Sequence, residues 1–433
     1  MKDVPGPVLS SKERRLILLL GIPSAGLSSC LTVLSTYLPV LARQFTSSTT
    51  VIGMLVGGEG LIAVLIPVWV GRISDRTETR LGRRLPFLIA TAPVVAIAIS
   101  VIPFAPSLEV MAVEVFFFYL AYFTYFAPYQ ALYPDLIAEA AGGRAQGVQG
   151  VFTGVGLGCA LVGGGFLLEV WRPLPYLLAA AVLLLGTALL VGVLGGRATR
   201  RMSPERDLRA PAADVWQLVR EHPDIRSFVT GNALLTLALG GLKSFVVLWL
   251  TEGLGKSMTF TACAMTVVAL GAVIGAMVSG KLADRYGPSR VLSISLSVFG
   301  GGLALGTFSR STYLLGAAFP IIALSAGAAV ALPYALLMRL TPSRSHGAVA
   351  GLYLLSSGVG TLLGPTITGG AIDLMRPLFA STGGYAAMWP VLSVAMLASS
   401  VLLRRAGGDR DAHDRRAAPQ PNDGRRLREA GNA

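Results

Sequence analysis

Apolar residues run along this chain in twelve long blocks, near 16–41, 50–71, 86–105, 108–133, 146–170, 174–194, 226–251, 258–280, 290–308, 312–338, 347–371 and 384–403. About 20 such residues carry a helix across the hydrocarbon layer of a membrane at 1.5 Å per residue. The blocks are bounded by Gly, Pro and charge, and none shows the ten-residue alternation of a barrel strand. The pattern therefore predicts an all-α integral membrane protein of twelve transmembrane helices.

The polar intervals are short except one. From about 195 to 225 the chain carries Arg197, Arg200, Arg201, Glu205, Arg206, Asp207 and Arg209, and this interval splits the blocks six and six. The predicted organisation is a six-helix half over 1–194, a linker over 195–225, a second half over 226–403 and a tail over 404–433. The tail is rich in Arg, Asp, Gly and Pro; it cannot bury a core and is expected to be disordered. Within the linker, Asp214 to Arg220 is predicted as a short amphipathic helix with Trp216 at headgroup level.

Composition changes the picture only by excluding alternatives. With 53% hydrophobic and 14% charged residues and a mean hydropathy of +0.65, too little polar surface exists to cover a soluble globule. The formal charge of +13 would suit nucleic acid, but Lys and Arg, Lys243 apart, are confined to short loops and the tail. Thirty lie on one side of the spans and five, Arg43, Arg172, Lys256, Arg310 and Arg376, on the other. That asymmetry predicts a multi-pass protein of the cell membrane with both termini cytoplasmic, and no nucleic-acid partner.

The N-terminal block is too long for a secretory signal and lacks a small-residue cleavage site. Cys30, Cys159 and Cys263 all fall inside apolar spans, where they act as small packing residues, with neither disulfide nor metal implied. The sequence has no P-loop, no G-x-S-x-G and no metal-ligand cluster, which argues against an enzyme, a cofactor and ATP-driven pumping.

Between the second and third blocks stands Gly71-Arg-Ile-Ser-Asp75-Arg76-Thr-Glu-Thr-Arg80-Leu-Gly82-Arg83-Arg84, and between the eighth and ninth Gly280-Lys-Leu-Ala-Asp284-Arg285-Tyr-Gly287-Pro-Ser-Arg290. A second repeat links Pro128-Tyr129 to Arg144, and Pro333-Tyr334 to Arg344. Twelve spans, two halves and a doubled G-x-x-x-D-R turn resemble the major facilitator superfamily, over about residues 12 to 404. The resemblance implies parallel halves about a central cavity, worked by alternating access. It also implies cytoplasmic latches: Asp75 with Arg144, aided by Arg76, Arg80, Arg83 and Arg84, and Asp284 with Arg344 and Arg285. Gly82 and Gly287 bound the turns, and Gly71 and Gly280 are expected to allow close helix approach.

The extended first loop is similar to that of the glycoside-pentoside-hexuronide cation symporters and the sucrose transporters, with their S-D-R-T then G-R-R-x-P-F pattern. That likeness implies a sugar carrier. The helix 4 aspartate of those transporters falls at Tyr119 here, so their proton site does not carry over.

Ionisable residues inside a membrane are functional candidates by default. Glu59 lies about ten residues into the second span, roughly 15 Å deep; Glu114 about six residues, or roughly 9 Å, into the fourth; Lys243 about eight residues, or roughly 12 Å, from the outer end of the seventh. Glu59 is the expected site of a coupling proton, or of sodium in its place, with Lys243 of the opposite half competing for it and Glu114 in reserve. The structural alternative is a Glu–Lys pair, or snorkelling of Glu114 and Lys243 to the interface.

Tyr119, Tyr122, Tyr125 and Tyr129 share one face of the fourth span. Phenol rings suit sugars by stacking and hydrogen bonding, so these residues, with Asn232 and Thr236 of the seventh span, are candidates to bind a small-molecule substrate. Tyrosines in helix packing are the competing reading. Glycines crowd the fifth and eleventh spans, where small residues let helices cross closely. They also resemble, in part, the glycine motif of drug–proton antiporters, although the proline version, Gly364-Pro365, stands in the eleventh span rather than the fifth. Proton-coupled symport of a sugar or glycoside is thus the leading expectation, followed by export of a drug or secondary metabolite, and then by a non-transporting sensor or assembly protein.

Overall fold

A computed structural model describes residues 11–79, 81–137, 139–194, 220, 222–308, 312–340 and 346–417. The predicted linker helix apart from Arg220, together with Arg80 and Arg344, lies outside them.

Twelve long helices follow one another: α1 Ser11–Ala42, α2 Thr49–Arg76, α3 Leu85–Val101, α4 Leu108–Leu136, α5 Glu139–Val170, α6 Leu174–Leu194, α7 Pro223–Leu248, α8 Met258–Tyr286, α9 Pro288–Phe308, α10 Thr312–Leu340, α11 His346–Leu374 and α12 Met388–Ala417. Among the described residues, eleven stretches are long and apolar enough by themselves to cross a membrane. α11 packs most extensively on α2 and α7. The chain is a multi-pass membrane protein.

Several helices outrun their apolar blocks. α2 continues to Arg76 and α8 to Tyr286, so Gly71–Arg76 and Gly280–Tyr286 form last helical turns rather than loops. Apolar counting stops where the lipid stops, whereas backbone hydrogen bonding continues until something breaks it. The break comes at Thr77, and at Gly287 with φ 88°. Gly82 has φ 90°, and both angles are ones that glycine adopts without strain. Likewise α7 begins at Pro223, and α12 runs on to Ala417, past the point at which the tail was expected to lose structure.

The helix ends lie on two faces. The terminal face carries the start of α1, the α2–α3 loop and the end of α12; the far face carries the α1–α2, α7–α8 and α11–α12 connections. α1 to α6 pack mainly among themselves, as do α7 to α12, and the halves meet chiefly where α2 lies on α11 and α5 on α8. The α2–α11 seam is made by glycine. A side-chain carbon at Gly53, Gly57 or Gly60 would collide with the backbone of Pro365, Leu362 or Gly358, and one at Gly364 with the Leu237 carbonyl of α7. Gly71 and Gly280 have no neighbour within 4 Å of an added carbon. Their expected role in close approach is thus not realised in this arrangement, where the close crossings lie nearer the far face.

Candidate functional site

At the seam, four helices line a partly open cavity of about 170 Å³. α1 contributes Ser35; α2 contributes Val56 and Glu59; α7 contributes Thr236, Leu239, Gly240, Lys243 and Ser244; α11 contributes Thr361 and Pro365. The Glu59 carboxylate of one half and the Lys243 ammonium of the other therefore face the same space, and their charges interact. Among the described residues they make no direct ion pair within 4.0 Å. The cavity is smaller than the several hundred Å³ of a typical small-molecule pocket. At this size it has room for a few water molecules beside the two charges.

Helix packing explains why these two groups converge. Gly60 lets α2 touch α11, and Glu59, its neighbour, is carried to the edge of that contact. On α7, Gly240 packs against Pro365, one turn from Lys243. Thr236 turns its hydroxyl back onto the Asn232 carbonyl at 2.9 Å while lining the cavity. Asn232 is fully buried and donates to Ser356 and Ser357 Oγ at 2.8 and 2.9 Å. It ties α7 to α11 rather than facing the cavity. Glu114 does not line this cavity, and one of its carboxylate oxygens is buried without a partner.

The tyrosine face of α4 is real, but it points into its own half. Tyr119 donates to the Val56 carbonyl at 3.2 Å, bracing α2 one turn from Glu59. Tyr125 bonds Thr187 of α6 at 2.8 Å. Tyr129 bonds Ser24 at 2.6 Å and the Leu20 carbonyl, both on α1. All three rings are at most 1% exposed. Buried hydroxyls must be satisfied, and here the other helices of the same half satisfy them, so the expected sugar platform is occupied by packing. Tyr122 differs: stacked on Phe126 and in edge or tilted contact with Phe123 and Phe118, its hydroxyl has no hydrogen-bond partner among the described residues.

On the terminal face the structure pairs Asp75 with Arg84, at 2.5 Å, rather than with the expected Arg144, which stands exposed on α5. Arg84 also bonds Asp135 of α4 at 3.1 Å and Ser74 at 2.9 Å, and its side chain is only 11% exposed. The latch lies within one half, as expected, and Asp135, which was not taken as a site residue, completes it. Arg83 approaches Glu78 at 3.6 Å; Arg76, Asp284 and Arg285 are exposed, with Arg285 lying over the Tyr286 ring.

Polar contacts that cross between the halves cluster on the far face. Arg43, just past α1, meets Glu252 at 2.9 Å. One π turn, Trp249–Gly253, ends α7 and presents that glutamate, which also accepts from Tyr385 at 2.7 Å. Asp373 at the end of α11 accepts from Ser48, Thr49 and Thr50 at the start of α2. Glu169 at the end of α5 accepts from Thr259 at the start of α8, and Arg376 donates to the Ser47 carbonyl. None of these was singled out from sequence. The signal available was the recurrence of Ser-x-Thr at 48–50 and 257–259.

The arrangement is thus two six-helix halves that meet at a seam of membrane helices with a charged cavity between them. Comparison with known proteins agrees: the Major Facilitator Superfamily model matches residues 18–248 and 228–429, and the chain belongs to that family. Among solved structures, a bacterial homologue of the human lysosomal transporter Spinster, inward-facing and unoccupied, superposes with a TM-score of 0.72 at 18% identity, covering 94% of this chain and 98% of that one. The nucleoside transporter NupG, as its D323A mutant, gives 0.73 at 14% identity over 91% and 99%. These likenesses concern the fold.

Curated relatives include the enterobactin exporter EntS of Shigella flexneri, 31% identical over 196 residues, which are 43% of this chain and 47% of the relative. The Escherichia coli (strain UTI89) counterpart is 29% identical over 215 residues, 46% and 50% of the two chains. The chain thus spans about half the length of the curated relatives it matches.

Proposed function

We propose that this protein is a proton-coupled exporter that carries a small organic solute out of the cell by alternating access, with Glu59 taking the coupling proton and Lys243 as its conformation-dependent partner. The carrying observation is that these two groups come from opposite halves and face one cavity at the seam. Their separation, and hence the hold of Lys243 on the Glu59 carboxylate, changes whenever the halves rock. Protonation and conformation are then linked without further machinery. The Lys/Arg asymmetry assigns the terminal face to the cytoplasm.

Export rather than uptake is supported by the exporter relatives and by the occupation of the α4 phenols in packing. A lysine beside an otherwise modestly polar cavity suits a solute with anionic or acceptor-rich groups, and enterobactin, named for the relatives, is the first to test. The α2–α3 loop supports a second reading, symport of a sugar or glycoside through the same coupling pair.

Everted membrane vesicles holding the protein are expected to accumulate the exported solute when an inside-acid gradient is imposed and to lose it on adding a protonophore. Glu59→Gln should abolish the uphill phase while sparing downhill exchange. Full uphill transport by Glu59→Gln with an unchanged pH profile would remove the coupling assignment. Gradient-driven sugar accumulation in right-side-out vesicles would move the protein to symport.

A further inference from the structure

The starts of α2 and α8 are built alike. Ser48 and Ser257 are N-caps whose hydroxyls accept from the third helical residue, Val51 and Phe260. That leaves the N–H groups before it to find other acceptors. At α2 they find Asp373: Thr49 N–H at 3.0 Å, Thr50 N–H at 2.9 Å, and the Thr50 hydroxyl at 2.7 Å. At α8 they find Glu169: Thr259 N–H at 2.9 Å and its hydroxyl at 2.6 Å. Thr50 and Thr259 occupy the same position after their caps and offer the same two donors. Each carboxylate comes from the other half, Asp373 from α11 against α2 and Glu169 from α5 against α8.

We propose that these two carboxylates form a reciprocal pair of latches, each half completing a helix N-terminus of the other, and that together they hold the far face closed. The arrangement goes beyond the transport reading and does not depend on the solute carried. A helix N-terminus attracts negative charge through its free N–H groups and its dipole. When the far face opens, both acceptors leave together, and the first turns of α2 and α8 must turn to water. Asp373 collects five donors, from Ser48, Thr49 and Thr50, and is steadied by Arg376 at 3.3 Å. Glu169 collects two and is exposed, so it is the weaker latch.

The test reads conformation rather than transport. Spin labels at Glu109→Cys and Leu378→Cys, exposed on the far face of opposite halves, report the opening by pulsed dipolar spectroscopy in proteoliposomes, after replacement of Cys30, Cys159 and Cys263. Asp373→Ala is expected to raise the open fraction about tenfold, the equivalent of one charge-assisted hydrogen bond, and Glu169→Ala about threefold. Thr50→Val and Thr259→Val keep the backbone donor and are expected to shift the balance the same way by less, which covers failure of an alanine variant to fold. Less than twofold opening in the variants of both latches, even with lowered melting temperatures, would make the carboxylates local caps and overturn the proposal. Opening at one latch alone would overturn its reciprocity.

Discussion

Replacing Lys243 by Met leaves the Glu59 carboxylate facing the seam cavity without its counter-charge, and the size of the effect follows from the geometry. The groups stand more than 4.0 Å apart. Two unit charges at about that distance attract by up to about 4 kcal/mol at an effective dielectric constant of about 20; water in the cavity reduces this to roughly 1–3 kcal/mol. A double-mutant cycle with Glu59→Gln isolates that term. Each single variant should lose stability and the double variant should recover much of it, since no uncompensated charge then remains. At roughly 1–2 °C per kcal/mol for a chain of this size, thermal melting of the purified protein in detergent should show a coupling of about 2–5 °C. The attraction needs an ionised carboxylate, so the coupling should vanish as pH falls through the Glu59 titration. Additivity within about 0.5 kcal/mol at neutral pH would show that the two charges do not sense each other and would refute the reasoning.

Other perturbations probe the surrounding frame. Arg84→Ala should lower stability by roughly 1–3 kcal/mol in thermal melting, since the fork joining Asp75, Asp135 and Ser74 is lost; Arg84→Lys should recover only part of it. Tyr125→Phe and Tyr129→Phe should each cost about 1 kcal/mol of stability and leave apparent solute affinity unchanged in transport assays, whereas Tyr122→Phe should leave stability unaltered. A fall in affinity beyond about threefold for Tyr125→Phe would return the phenol face to the binding site. Gly60→Leu should destabilise by about 1–3 kcal/mol or more in the same melting assay and block transport by prising α2 from α11. Gly71→Ala, which meets nothing, should be neutral or slightly stabilising.

How much could be read from the chain alone depends on which force sets each feature. Lipid immersion is a one-dimensional property, so apolar blocks mark all twelve helices. Depth along a helix is also linear in sequence, which is why Glu59 and Lys243 were recognisable as membrane charges. Their convergence was inferred from their standing in opposite halves. The orientation of the α4 tyrosines was not legible. Spacing places four phenols on one face, but only the docking of α1, α2 and α6 decides whether that face looks into the half or out of it. Arg84 and Asp135 were similarly hidden, because the repeat marks where acids and arginines fall and not which of them meet.

The arrangement of the seam connects these observations. A membrane carrier must break and remake the contact between its halves, so that contact has to be close enough to exclude solvent and shallow enough to release. Glycines at 53, 57 and 60 meet both needs: they bring α2 onto the α11 backbone with little side-chain interlock to undo. The polar contacts that do cross lie at the far-face ends of the helices, at Arg43–Glu252, Asp373–Thr50 and Glu169–Thr259, where water can replace them when they part. Deeper in, where water is scarce, the structure places one carboxylate and one ammonium across a small cavity. A buried charge pair is a poor stabiliser, and on the proposed reading it is the switch: adding one proton to Glu59 removes the attraction at a depth where, among the described residues, no other polar contact joins the halves. The proposal thus puts the stabilising contacts at the rim and the switchable one at the centre, a division of labour that a purely structural bundle has no need of.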